Sequence, residues 1–253
     1  MNKMEAEIDM SEIARGRISR TSSQSKPAIS EHAQKPKVFD TSQNEMSETT
    51  ELQKYIYLYG IINKKDSKLK INGLKNNPIN KINFKDITAL TSSYPILNPA
   101  LNDEEAVEHA NILREIAKKA TVVPTSFGTV FENNEILETV LSSSYLAIKQ
   151  TLALIEGKIE LGVKVIKNQL GEVPDGVASE ILESLNKLSV KSAKGDNFSD
   201  RLLLNHSFLV EKNKFSKFSN EIAKLEEKHK DLKFVYTGPW PPYSFVNIKI
   251  SGS

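Results

Sequence analysis

From Tyr55 onward the hydrophobic period of the chain switches repeatedly between two and about 3.6 residues, which excludes an all-helical or an all-strand fold. "YIYLYGII" (residues 55–62) is a run of aromatic and β-branched residues closed by the polar loop "NKKDSKLKING". It reads as a buried core strand with tyrosine hydroxyls at its rim. In "INFKDITALTSSY", Ile82 and Phe84, then Ile87 and Ala89, flank the polar pair Lys85-Asp86, the pattern of a hairpin. Asn102 then stands as an N-cap with Glu105 at the capping-box position, and Ala106, Val107, Ala110, Leu113, Ala117 and Ala120 follow at helical spacing. "TVVPTSFGTVF" returns to strand character. Asn133 or Asn134 opens a second helix with Ile136, Leu137, Val140, Leu141, Ile148, Leu152 and Ile155 inward, and Gly157 ends it.

The remainder reads as a second unit. "GKIELGVKVI" alternates Ile159, Leu161, Val163 and Val165 on one face, and "VASEILESLNKL" carries a helical stripe of Val177, Ile181, Leu185 and Leu188. "LLLNHSFLVEK" is a strand, Phe215, Phe218, Ile222, Leu225 and His229 form the seam of a helix, and "FVYT" is the last strand. Strand, helix, strand, helix, strand fits a split βαβ sandwich if one more short strand lies between these elements. The expected fold is therefore α+β, with two α+β domains at residues 53–156 and 157–253, the second ferredoxin-like. A disordered extension, residues 1–52, is expected before them. Its first fifty residues hold one aromatic, Phe39, among eight serines and four threonines, too little apolar area to offset backbone entropy. The cluster Arg15, Arg17 and Arg20 within it reads as part of a solvated tail.

Little in the chain points to chemistry. With 34 basic and 32 acidic residues the net charge is +2, so no global field favours nucleic acid or an anionic membrane. The absence of cysteine excludes disulfides, thiol nucleophiles and thiolate metal sites. Glu5, Glu7 and Asp9 without an apolar segment behind them argue against a secretory or transit leader, and no apolar run approaches a membrane span. His32, His109, His206 and His229 lack the spacing of metal ligands. His206 beside Ser207 lacks the glycine pattern of a nucleophile elbow and reads as a strand histidine. The glycines are scattered, without a phosphate-binding loop, and the aromatics of "YIYLYG" have no basic residues between them for RNA stacking. No enzyme activity, cofactor, metal, nucleic acid or membrane lipid is expected.

One stretch is unusual. "TGPWPPYSF" (residues 237–245) holds three of ten prolines and the only tryptophan, and each proline removes a donor that a sheet ladder would use. Taken together with "YIYLYGII", "VVPTSFGTVF" and "GKIELGVKVI", its order and spacing resemble the gas vesicle proteins GvpF and GvpL from about residue 54 to the C-terminus. Many members of that family carry a basic residue before the Phe-Gly-Thr of the second segment, where this chain has Ser126. The resemblance implies a cytoplasmic, gas-vesicle-associated accessory protein without enzymatic activity. Its implied partners are the small hydrophobic shell protein and other accessory proteins, which it would serve as a chaperone or nucleator. The residues marked by the family segments are Tyr57, Tyr59, Gly60, Pro124, Phe127, Gly128, Thr129, Phe131, Leu161, Gly162, Val163, Gly238, Pro239, Trp240, Pro241, Pro242 and Tyr243. Trp240, on a stiff proline-bounded segment, is expected to cap a core or wedge the C-terminal tail against another domain rather than to contact a partner. The alternatives are a small-molecule-binding regulatory α+β protein and, for "PWPP", an SH3-type ligand, which lacks a flanking arginine and runs into strand-like "YSFVNIKI".

Overall fold

The computed structural model describes residues 54–66, 68–100, 102–168 and 173–248. The expected extension and its arginine cluster lie outside the described residues. Among the described residues, two antiparallel sheets and four helices make an α+β architecture. The first sheet contains β1 (Tyr55–Asn63), β2 (Asn80–Phe84), β3 (Ile87–Tyr94), β4 (Val122–Pro124) and β5 (Val130–Phe131). Its order is β2-β3-β1-β4, with β5 pairing the other end of β1. β2 and β3 form the expected hairpin, Phe84 opposite Ile87, with Lys85 at φ 50 in the turn. Helix α1 (Asp103–Lys119) covers one face of this sheet and α2 (Asn134–Ile155) the other.

β1 is buried on both faces, and a bulge between Leu58 and Gly60 shifts its register. The bulge explains why Leu58 and Ile61, three residues apart, both face α2 while Tyr57, Tyr59 and Ile62 face the α1 side. Gly60 sits where β4 crosses closest: a Cβ there would come within 2.7 Å of the Val123 carbonyl oxygen. Asn102 caps α1, but Glu105 does not complete the capping box. Its carboxylate is drawn away to the Tyr94 hydroxyl (2.5 Å) and Lys75 (2.7 Å). Asn133 caps α2, accepting from the Ile136 N–H, and Gly157 follows α2 with φ +72.

The second sheet contains β6 (Lys158–Lys167), β7 (Lys191–Lys194), β8 (Leu202–Glu211) and β9 (Leu232–Trp240), ordered β7-β8-β6-β9. With α3 (Val177–Asn186) and α4 (Phe215–Lys228) on one face, the order β6-α3-β7-β8-α4-β9 is the split βαβ arrangement. The extra strand it requires is β7, sequence "KSAK", an edge strand too short and polar to carry a period-two signal. α4 stops one residue short of His229, which leaves helical geometry at φ −115, ψ 66.

Two corrections concern the C-terminal stretch. β9 does not stop at "FVYT" but runs through Pro239 to Trp240, which pairs with Glu160. It lies at the sheet edge, where a proline's missing donor faces no ladder. The described part of "YSFVNIKI", residues 243–248, is not strand: Tyr243–Phe245 form a 3₁₀ turn after Pro241 and Pro242.

Candidate interaction site

The family-marked segments meet at one junction, and hydrogen bonds show how. Both Tyr57 and Tyr59 are fully buried, so their hydroxyls are not at the rim as the strand pattern suggested. Tyr57 Oη lies 2.9 Å from His109 Nδ1, and His109 Nε2 lies 2.9 Å from the Thr125 carbonyl oxygen. A carbonyl can only accept, so Nε2 carries the proton, Nδ1 accepts, and the Tyr57 hydroxyl donates. The Gly128 N–H then donates to Tyr57 Oη at 3.2 Å. Burial pushes the Tyr57 hydroxyl up and holds His109 down at about 4, the latter opposed only by its bond to Thr125. The network is therefore neutral near pH 7.

This network fixes the loop between β4 and β5. Thr125 Oγ1 lies 2.6 Å from the Leu58 carbonyl and 2.9 Å from that of Tyr59, and Thr129 folds back on the Ser126 carbonyl through its N–H and hydroxyl. Phe127 and Tyr243 pack on the same cluster as Tyr57, while Pro124 and Phe131 are buried in β4 and β5. Ser126 is exposed at a small cavity of about 110 Å³ bordered by Pro124, Thr125 and Tyr243. Tyr59 pins the neighbouring turn, accepting from the Leu74 N–H at 2.8 Å.

The C-terminal strap closes the junction. Glu160, only 6% exposed, accepts from the Ser244 N–H (2.8 Å) and hydroxyl (2.6 Å). The Arg114 guanidinium of α1 lies 4.4 Å from the centre of the Trp240 indole, whose Nε1–H donates to Thr237 Oγ1 at 3.2 Å. Gly238 adopts φ +115, and a Cβ there would come within 2.8 Å of the Glu160 carbonyl. Pro239 is exposed at the edge of β9, but Trp240, Pro241 and Pro242 are buried and offer no protruding anchor. Burial beside Glu160 pushes the Tyr243 hydroxyl up. Leu161 and Val163 point into the core under α3 and α4, Leu161 bordering Gly238, and Gly162 pairs with Thr237.

His206 stacks on Phe208 towards the core beneath α3 and α4, whereas Ser207 reaches Ser244 at 3.0 Å, so adjacent strand positions send them apart. Among the described residues, no group of three His, Asp or Glu side chains could hold a metal ion, and no helix is long and apolar enough to cross a membrane.

A different surface stands out on α2. Its inward stripe is the one expected, with Leu137, Leu141, Ile148, Leu152 and Ile155 buried. Its exposed positions from Thr139 to Ala153 are Thr139, Ser142, Ser143, Leu146, Ala147, Gln150 and Ala153, none of them charged, with the half-exposed Lys149 at their flank, and Leu146 is 74% exposed. The outer faces of α1, α3 and α4 all carry exposed acids, with lysines on α1 and α4, as solvated helices do. The signal was present in "TVLSSSYLAIKQTLALI", which holds one charged residue, Lys149. At the C-terminal end of this face, a cleft of about 370 Å³ is lined by Lys64, Lys65, Asp86, Lys149, Leu152 and Glu156, among others. Lys149 pairs with Asp86 at 2.6 Å and Lys65 with Glu156 at 3.2 Å.

Comparison with known proteins gives one consistent set of matches. The model of the family described as gas vesicle synthesis protein GvpL/GvpF matches residues 55–176 and 166–247. Gas vesicle protein F1 of Halobacterium salinarum is 36% identical over 200 residues, covering 77% of this chain and 94% of that protein. Gas vesicle protein F of Haloferax mediterranei is 35% identical over 201 residues, covering 77% and 94%. The fold is similar to the crystal structure of GvpF from Anabaena, with TM-score 0.67 at 18% identity over 79% of this chain and 99% of that one. GvpF from Microcystis aeruginosa gives the same TM-score at 17% identity, over 76% and 99%.

Proposed function

The chain belongs to the GvpL/GvpF family of gas vesicle synthesis proteins, and from that membership we propose that it is an accessory protein that binds the hydrophobic gas vesicle shell protein during assembly. The relatives that support this reading are themselves named gas vesicle protein F. A very hydrophobic shell subunit exposes apolar surface and strand edges before it is assembled, and such surface aggregates unless it is covered. The observation that carries the proposal is the uncharged outer face of α2 with Leu146 at its middle. The charge nearest that face on α2 is the half-exposed Lys149, already paired with Asp86, so an apolar partner laid there meets little unpaired charge and buries apolar area on both sides. The junction of Tyr57, His109, Thr125 and Trp240 then serves as the rigid frame that presents α2. Other accessory proteins are proposed partners on the same footing, and the cytoplasm is the proposed compartment.

Co-expression with the shell protein tests this reading. The expected result is a recoverable complex and a larger soluble fraction of shell protein, both lost with Leu146→Glu. Unchanged shell-protein solubility with no complex would overturn it. The rival reading, a small-molecule regulator, has the 370 Å³ cleft as its candidate pocket. The charges of Lys65, Asp86, Lys149 and Glu156 in that cleft already satisfy one another, which leaves few groups to converge on a ligand.

A further inference from the structure

The same face of α2 is complementary to itself. Its N-terminal end carries the exposed carboxylates Glu135 and Glu138, neither with an ion-pair partner among the described residues. Its C-terminal end meets Lys149 on the helix and Lys64 and Lys65 from the segment after β1, a lysine excess over the two carboxylates there, Asp86 paired with Lys149 and Glu156 paired with Lys65. Between these ends the surface is uncharged, built of small side chains with Leu146 protruding. An acidic end, an opposite end with a lysine excess and a small-residue centre form the pattern of an isologous contact, in which one patch meets its own copy related by a two-fold axis.

We propose that two copies of this chain pair through α2, antiparallel, about an axis crossing the helix near Ser143 and Leu146. In that arrangement Leu146 of each copy rests among the serines of the other, where small side chains let the helices approach. Glu135 and Glu138 of one copy then lie opposite Lys149, Lys64 and Lys65 of the second. The Lys65–Glu156 pair is largely exposed, so Lys65 can turn to a new carboxylate at little cost. One helix face is a small interface, so the dimer is of the weak, reversible class. Where α2 is also the shell-protein surface, which rests on the function proposed above, self-pairing covers the face until a partner displaces the second copy.

Sedimentation velocity of the full chain at low salt, from about 1 to about 200 µM, spans the affinities that small interfaces reach. The expected result is a concentration-dependent dimer that weakens at high salt, because the end contacts are screened. Leu146→Glu is expected to leave a monomer with unchanged melting temperature, since the residue makes little contact within its own chain. A chain with Glu135→Lys and Glu138→Lys, and a second with Lys64→Glu and Lys65→Glu, should each associate at least tenfold more weakly and recover the dimer when mixed. A monomer throughout the range overturns the pairing, as does a dimer indifferent to Leu146→Glu or a mixture that fails to recover. A dimer that never captures shell protein upholds the pairing and removes only the functional reading, and a monomer that captures it does the reverse.

Discussion

His109 illustrates a residue whose part in the fold was hidden in the sequence. Its number places it on the α1 stripe, three residues after Ala106 and four before Leu113, so its burial was legible. Its partners were not, because Tyr57 and Thr125 lie 52 and 16 residues away and only the fold brings them to it. The pH consequence follows from burial. In the folded chain His109 titrates at about 4, against 6.5 for the unfolded reference, so the unfolded state binds the proton more readily. Its contribution is whole above pH 6.5 and declines as pH falls towards 4, by about 3 kcal/mol at the limit. Denaturant midpoints measured from pH 7 to pH 5 should fall accordingly, and His109→Gln should flatten that slope. An equal slope in the variant would assign the pH dependence to other groups.

At the scale of elements, the strong periods were legible and the edges were not. The inward stripe of α2 and the β2-β3 hairpin were read from apolar spacing alone, since half-buried helices and hairpins print their core face on the sequence. β7 escaped because four residues flanked by lysines have no face to print. β9 was cut short because proline argues against strand, a rule that relaxes at an edge. The α2 outer face prints no period on the sequence for another reason: its mark is a scarcity of charge and not a recurrence of apolar residues. Two leucines five residues apart on this helix should therefore behave in opposite ways. Leu141, fully buried, should cost about 2–5 kcal/mol when changed to alanine. Leu146→Ala should stay within about 0.5 kcal/mol while association weakens. If thermal denaturation gives the two variants similar losses, the outer face of α2 is packing surface and not a docking surface.

Across the whole molecule, the proposed division near residue 156 runs between the two sheets, and one apolar cluster spans it. The cluster beneath α2 contains Leu58, Val123 and Phe131 of the first sheet together with Leu209 of β8 and Phe245 of the strap. Glu160 holds that strap, and Arg114 of α1 rests on Trp240 of β9, so contacts cross the boundary at both ends. Interfaces between independent domains leave each free to unfold alone, whereas a shared apolar cluster makes the halves melt together. The single tryptophan reports on this directly, because Trp240 is buried at the crossing point, while the His109 imidazole resonances report on the first sheet alone. The two probes are expected to give coincident denaturation curves. Phe245→Ala removes a side chain that is 5% exposed and shared by both halves, and it should lower both midpoints together by an amount equivalent to about 3 kcal/mol. Should the tryptophan transition move while the histidine transition stays in place, the strap would belong to the second unit alone, and α2 would be held rigid by the first sheet without it.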